Sequence, residues 1–157
     1  MAKNNVTRLL DQRKIPYEVF ELPEEKLGAK KTAQLLNVPL EIVFKTIVVT
    51  RLERVKPILA VVPGNADVDL KALAKALGEK KIKTTTQREA EALTGLHAGG
   101  ISPLSLINRG FQVLIDSSAQ DFDEIHVSGG QRGLNIRLPV SALAKLTRAR
   151  FAEIARK

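Results

Sequence analysis

Few side chains in this 157-residue sequence stand where they could do chemistry, and they fall into three groups. The first is Gly99-Gly100-Ile101-Ser102-Pro103-Leu104. Paired glycines cost backbone entropy and are tolerated where φ is unusual or another backbone comes close. Pro103 sets one φ and pushes Ser102 toward an extended conformation. The product is a stiff loop with accessible N–H groups, one hydroxyl and little bulk. Such a loop suits a ligand's oxygen atoms, as anion-binding backbone nests do, although plain turns share its composition. The second group is Ser128-Gly129-Gly130-Gln131-Arg132-Gly133, again glycine-rich with one hydroxyl. The third is Lys45 with Thr46, inside the apolar run Phe44 to Thr50. A lysine there either snorkels out from a strand end or points into a pocket.

The residue types that are missing narrow the chemistry further. There is no cysteine, and His97 and His126 are the only histidines, so thiolate and multi-histidine metal sites are excluded. Asp121, Asp123 and Glu124 come closest to a carboxylate cluster, but they read as a solvated turn before a strand. No metal and no cofactor are therefore expected. Ser102, His126 and Asp116 can be drawn as a relay, yet their spacing does not support one and no Gly-x-Ser-x-Gly elbow is present. A phosphate loop and a dinucleotide fingerprint are absent too. What remains can position a polar substrate by charge and backbone donors. Any nucleophile has to come from water or from the substrate.

The formal charge of +8 and pI near 9.9 favour polyanionic partners. Basic residues gather at Lys30-Lys31, Arg51/Arg54/Lys56, Lys80-Lys81-Lys83 and Arg148/Arg150. Aromatics make up only 4%, without the basic-aromatic interleaving that stacks single strands, so charge alone leaves two readings open, nucleic acid held by its phosphates and a merely basic, well-solvated surface. The length fits one domain over residues 1–157. No apolar run approaches the roughly 20 residues of a membrane span, and the N-terminus has no signal-peptide pattern, so a cytoplasmic protein without a membrane partner is expected.

The elements that must position these groups are legible from periodicity. Asn5 reads as the cap of a helix carrying Val6, Leu9 and Leu10, and Tyr17 to Leu22 alternates as a half-buried strand. Pro23 to Lys31 reads as a charged connection, with Thr32 opening a short helix that ends near Asn37. Phe44–Thr50 and Ile58–Val62 read as central strands joined by a hairpin connection over Arg51 to Pro57. Asp69 and Gly78 bracket the clearest helix; Lys81–Thr85 follows as an edge strand and Gln87–Leu93 as a helix closed by Gly95. Phe111–Ile115, Glu124–Val127 and Leu134–Leu138 complete the strands, and Ser141 caps a closing helix with Leu143, Leu146, Phe151 and Ile154 on one side. This irregular interleaving predicts a mixed α/β fold, its sheet curled toward a barrel with helices outside.

Phe44-Lys45-Thr46, the Gly99–Leu104 loop and Val127-Ser128-Gly129-Gly130-x-Arg132-Gly133-Leu134 occur in the order and spacing of the YbaK/EbsC family. The chain resembles that family over nearly its whole length, including the Asp69–Gly78 helix and the tail Phe151 to Arg156. The resemblance implies a freestanding relative of the editing domain of prolyl-tRNA synthetase, with a barrel-like fold and a tRNA 3′ aminoacyl end as substrate. It implies deacylation of Cys-tRNA(Pro), extending to other cysteinyl-tRNAs, usually alongside prolyl-tRNA synthetase. Lys45 matches the residue most tied to activity; Thr46, Gly99, Gly100, Ile101, Ser102, Pro103, Ser128 and Gly129 match the pocket and its substrate-binding wall. The chemistry implied is substrate-assisted, the cysteine thiol attacking its own carbonyl. Ser105 replaces a common glycine, Leu27-Gly28 stands where relatives have an aromatic before glycine, and Asn135 replaces an often acidic residue. These departures keep open a deacylase for alanine or another small residue. A non-catalytic tRNA- or synthetase-binding module is the other alternative, and the oligomeric state is not readable.

Overall fold

Strand alternation at the centre of the chain creates two hydrophobic faces, and the rest of the fold covers them. The computed structural model describes residues 3–25, 27–51 and 56–157. In β2 (Phe44–Arg51), Phe44 and Val48 enter one apolar cluster while Ile47 and Val49 enter the other. β3 (Ile58–Pro63) is buried at every position, with Leu59 and Val61 on the first side and Ile58, Ala60 and Val62 on the second. Burial on both faces is why its sequence is uninterrupted Ile, Leu, Ala and Val rather than alternating.

β1 (Glu18–Glu21), β4 (Asp67–Val68), β5 (Ile82–Thr84), β6 (Gln112–Asp116), β7 (Glu124–Ser128), β8 (Leu134–Pro139), β9 (Arg150–Ala152) and β10 (Ala155–Arg156) complete the strands. They form a five-stranded sheet in the order β5-β2-β3-β6-β9, a three-stranded sheet β1-β8-β7, and the pair β10-β4. The five-stranded sheet is mixed: β3–β6 and β6–β9 are parallel and its other pairs antiparallel. The α/β class expected from the sequence is the one observed. The curled barrel is not: the described strands do not close, and the two larger sheets touch through an isolated bridge, Val43 to His126. Sequence alternation reveals which residues face inward, but not where a sheet breaks.

The helices are α1 (Asn5–Gln12), α2 (Gly28–Leu36), α3 (Leu70–Leu77), α4 (Gln87–Thr94) and α5 (Val140–Thr147). α3 runs as expected from Asp69, whose side chain accepts from Ala72 N–H at 3.0 Å, to Gly78 in the left-handed region. It lays Leu70, Leu73 and Leu77 on the cluster that holds Val49 and Val62. Three boundaries differ from expectation. Asn4, not Asn5, caps α1, because Thr7 sits where it completes a reciprocal capping box. α2 starts at Gly28, inside the stretch read as a connection; Gly28 enters the helix at φ +77°, and the charged residues after it are good helix formers. The closing helix ends at Arg148 (φ 56°), and Phe151 and Ile154 leave it for β9 and the turn before β10. The buried Asp116 carboxylate draws that turn in, accepting from Ile154 N–H at 2.9 Å and Ala155 N–H at 3.0 Å. The connection expected between β2 and β3 lies mostly at 52–55, outside the described residues.

Candidate functional site

β5 pairs with β2 only at Val49 to Arg51, so the first half of β2 has an open edge. Val43 C=O accepts from Gly64 N–H at 2.7 Å on the β3 side, and Val48 C=O accepts from Thr85 N–H at 3.2 Å on the other. Backbone groups of an antiparallel strand alternate in direction, so Thr46 N–H and C=O turn toward the open edge. A cleft of about 320 Å³ lies along it. Its walls are the first turn of α2 (Gly28, Ala29, Thr32), β2 from Phe44 to Ile47, the first glycine loop (Ala98, Gly99, Ile101), and Ser128, Gly133 and Asn135 from β7, β8 and their connection.

Lys45 brings the one cationic side chain among the described lining residues. It is half-buried, with Nζ 3.7 Å from the Asp67 carboxylate, which is itself 81% exposed. An ion pair that loose and wet contributes little to stability and leaves the ammonium free for a ligand. Asp67 is a neighbour the sequence did not disclose, since β4 is only two residues long. Leu27 makes no capping hydrogen bond at the start of α2. Among the described residues no side chain caps the first N–H groups of that helix, which starts beside the cleft.

The two glycine-rich loops hold each other. Arg132 Nε donates to Ala98 C=O, and a Cβ on Gly100 would lie 2.8 Å from Gln131 Cα and 2.9 Å from Arg132 N. Gly100 thus serves loop packing, while Gly99 and Ile101 on either side line the cleft. Ser128 also lines it, its Oγ accepting from Gly130 N–H at 3.2 Å. Four residues expected at the wall stand behind it: Gly100, Ser102, Pro103 and Gly129 are not among the lining residues. Ser102 is fully buried, and its Oγ accepts from Leu104 N–H to start a 3-10 turn that contains Pro103. Gly129 packs on Leu134, whose Cδ2 a Cβ would meet at 2.8 Å. Ser105 is also outside the cleft, against Gly130.

Beneath the floor, His126 Nδ1 lies 2.8 Å from Asn135 Oδ1, with both residues buried. The carbonyl oxygen of Asn135 can only accept, so Nδ1 carries the proton. Burial lowers the His126 pKa; the Asn135 bond opposes this, and nearby Arg137 adds to the lowering. The neutral ring therefore holds Asn135 in one orientation at the cleft floor. This pairing crosses two strands and has no signature within either. The Ser102, His126 and Asp116 relay is not assembled: each is committed to a different partner.

The geometry has counterparts elsewhere. Residues 24–146 match the model of the aminoacyl-tRNA editing domain. The chain is 38% identical over 157 residues to EbsC of Enterococcus faecalis (strain ATCC 700802 / V583), a candidate Cys-tRNA(Pro)/Cys-tRNA(Cys) deacylase, covering 99% of this chain and 94% of that protein. Among solved structures, a candidate trans-editing enzyme for prolyl tRNA synthetase superposes with a TM-score of 0.82 at 24% identity, over 100% of each chain. The protein APE2540 superposes with a TM-score of 0.88 at 18% identity, over 98% of this chain and 100% of its own. At those identities the two superpositions speak to the fold alone.

Proposed function

This chain belongs to the aminoacyl-tRNA editing domain family, and on that premise we propose that it is a trans-editing deacylase that hydrolyses Cys-tRNA(Pro) and Cys-tRNA(Cys). The observation that carries the chemistry is the composition of the cleft: one half-buried lysine, the exposed Glu25 carboxylate at its mouth, the Gln87 amide, small and apolar residues, and neither cysteine nor histidine among its described lining. Such a wall binds and polarises an ester without attacking it. The nucleophile is the substrate's own thiolate, whose proton has passed to water. Its sulfur bonds to the carbonyl carbon, and the carbonyl pair moves onto oxygen. As that oxyanion collapses, the ester bond to the ribose breaks, the ribose oxygen takes a proton from water, and tRNA leaves. Water then opens the thioester to give free cysteine.

The Lys45 ammonium offsets the charge that develops on the carbonyl oxygen, where a fixed cation acts most strongly. Thr46 backbone groups and the Gly99, Ile101 and Ser128 wall position the terminal ribose, and the uncapped start of α2 suits its phosphate. Gly100, Ser102, Pro103 and Gly129 keep that wall in shape from behind. The reading takes residues 1–157 as one cytoplasmic editing domain working alongside prolyl-tRNA synthetase. An alanine-specific site gains no support from Ser105, which stands outside the cleft, whereas Leu27 does line it.

The test compares Cys-, Ser- and Ala-tRNA(Pro) as substrates for the wild type and Lys45→Ala. Serine differs from cysteine at a single atom, so thiol-assisted chemistry predicts cysteine cleaved about 1,000-fold faster or more, beyond the roughly 100-fold that pocket fit provides for such near-isosteres. Lys45→Ala should lose about 100-fold or more in kcat. Equal rates on the three esters, or full activity without Lys45, would overturn the proposal.

A further inference from the structure

A second groove, of about 420 Å³, opens at the other end of β2 and plays no part in the chemistry above. Its floor is apolar, made by Leu70 and Ala74 of α3 and Ile82 of β5. Its rim carries Lys71, Lys80, Lys81 and Lys83, all exposed, with Arg51 at the inner end. Arg51 is neutralised by Glu79 at 2.9 Å. Among the described residues no carboxylate lies within ion-pair distance of the four lysines; Lys83 is felt by Glu89 only through space. Lysine on an edge strand also blunts unwanted strand pairing, and that accounts for Lys81 and Lys83 flanking Ile82. It does not account for Lys71, on a helix, or Lys80, in the turn before the strand, converging on the same opening.

The placement relative to the cleft is informative. Lys45, Ile47, Val49 and Arg51 alternate onto one face of β2, the face that α3 covers. Lys45 meets Asp67, and α3 begins three residues further on. The cleft and the groove therefore flank the same β4–α3 segment. At about 3.3 Å per residue, Lys45 and Arg51 are about 20 Å apart along the strand. At about 3 to 3.4 Å per nucleotide, 20 Å corresponds to about six or seven nucleotides of a nucleic-acid strand.

We infer that this groove binds the phosphate backbone of the RNA arm whose aminoacylated end occupies the cleft. The inference rests on the deacylase reading for the identity of the RNA, not for the anion chemistry of the groove. Lysines without carboxylate partners hold phosphates as point charges and read no bases, which suits a protein acting on more than one tRNA.

The test replaces Lys71, Lys80, Lys81 and Lys83 with glutamine together, and in a second variant with arginine, which keeps the charge. Binding of uncharged tRNA(Pro) is measured from about 50 to 300 mM salt, alongside deacylation of Cys-tRNA(Pro) and of a cysteinylated CCA trinucleotide. Each lost phosphate contact lowers the salt slope by about one unit. The glutamine variant should bind tRNA about 10- to 100-fold more weakly with a slope reduced by about 2 to 4 units. Its KM for Cys-tRNA(Pro) should rise at unchanged kcat, its turnover of the trinucleotide should stay at the wild-type level, and the arginine variant should behave as wild type. Unchanged tRNA affinity and slope would overturn the inference while leaving the deacylase intact, as would equal losses on tRNA and trinucleotide. Loss confined to stimulation by added prolyl-tRNA synthetase would overturn it in favour of an acidic protein surface. If the wild type cleaves neither ester but the slope still falls with the lysines, the groove stands and the deacylase reading is what fails.

Discussion

Gly100→Ala isolates what the contact between the two glycine-rich loops contributes. Gly100 is not among the glycines at positive φ, so alanine there meets no backbone penalty of its own. The obstruction is steric, and it comes from backbone rather than from a side chain that could rotate away. The added Cβ would sit 2.8 Å from Gln131 Cα and 2.9 Å from both Gln131 C and Arg132 N. Ordinary contact begins near 3.4 Å, so the loops must part by about 0.6 Å. Overpacking of this kind costs about 1–3 kcal/mol, or about 2–12 °C in Tm for a chain of this size. The wall residues Gly99 and Ile101 move with the loop. A misplacement of about 1 Å can reduce turnover about 100-fold, so 0.6 Å should cost about tenfold in kcat/KM for Cys-tRNA(Pro). Gly78→Ala is the control: it places alanine at φ +71° with nothing within 4 Å, at the end of α3. It should destabilise by about 1–2 kcal/mol through strain alone and leave turnover unchanged. Thermal unfolding and single-turnover deacylation on both variants decide the matter. Wild-type turnover in Gly100→Ala would refute the idea that the contact positions the cleft wall, and so would an equal loss in Gly78→Ala.

Two further outcomes follow from the buried polar groups. Ser102→Ala should retain deacylation within about threefold, since the hydroxyl is fully buried on Leu104 N–H, and should lose about 1 kcal/mol of stability as a lost cap does; abolished turnover at intact stability would return Ser102 to the chemistry. His126 is held below its ordinary pKa of 6.5, first by burial. Below that value the unfolded chain binds more protons than the folded one, so the His126 contribution is complete above about pH 6.5 and is lost as pH falls toward the folded pKa. Urea unfolding between pH 5 and 7.5 should show stability falling as pH drops below about 6.5, with a shallower fall in His126→Gln; parallel slopes would show that other groups carry the decline.

Strands, helices and the mixed class were legible because they depend on local rules. Ile58 to Val62 reads as a strand from its short apolar, β-branched run, and Asp69 with Gly78 brackets α3 by capping chemistry that any backbone obeys. Lys45 stood out for a similar reason: a charge among β-branched residues needs an exit, and near the start of the strand its side chain reaches Asp67 and the cleft. Of the misplaced boundaries, two also involve a distant partner, whereas the start of α2 at Gly28 is a local feature that the charged composition concealed. Asn4 wins the cap over Asn5 while its amide also donates to Gly129 C=O, and the tail leaves its helix for a hydrogen bond to Asp116. Within the glycine loops, composition identified the right segments but could not sort their residues. Gly99 and Gly100 are adjacent and chemically identical, yet one lines the cleft and the other faces the Gln131 backbone. Which side a residue shows depends on what lies opposite, and that is set when β7, β8 and the loop from α4 come together. The His126–Asn135 pair, the loose partnership of Lys45 with Asp67, and the convergence of Lys71 with Lys80 share that origin. Local sequence therefore determined which groups were available for chemistry, and tertiary contact alone decided which of them face the same space.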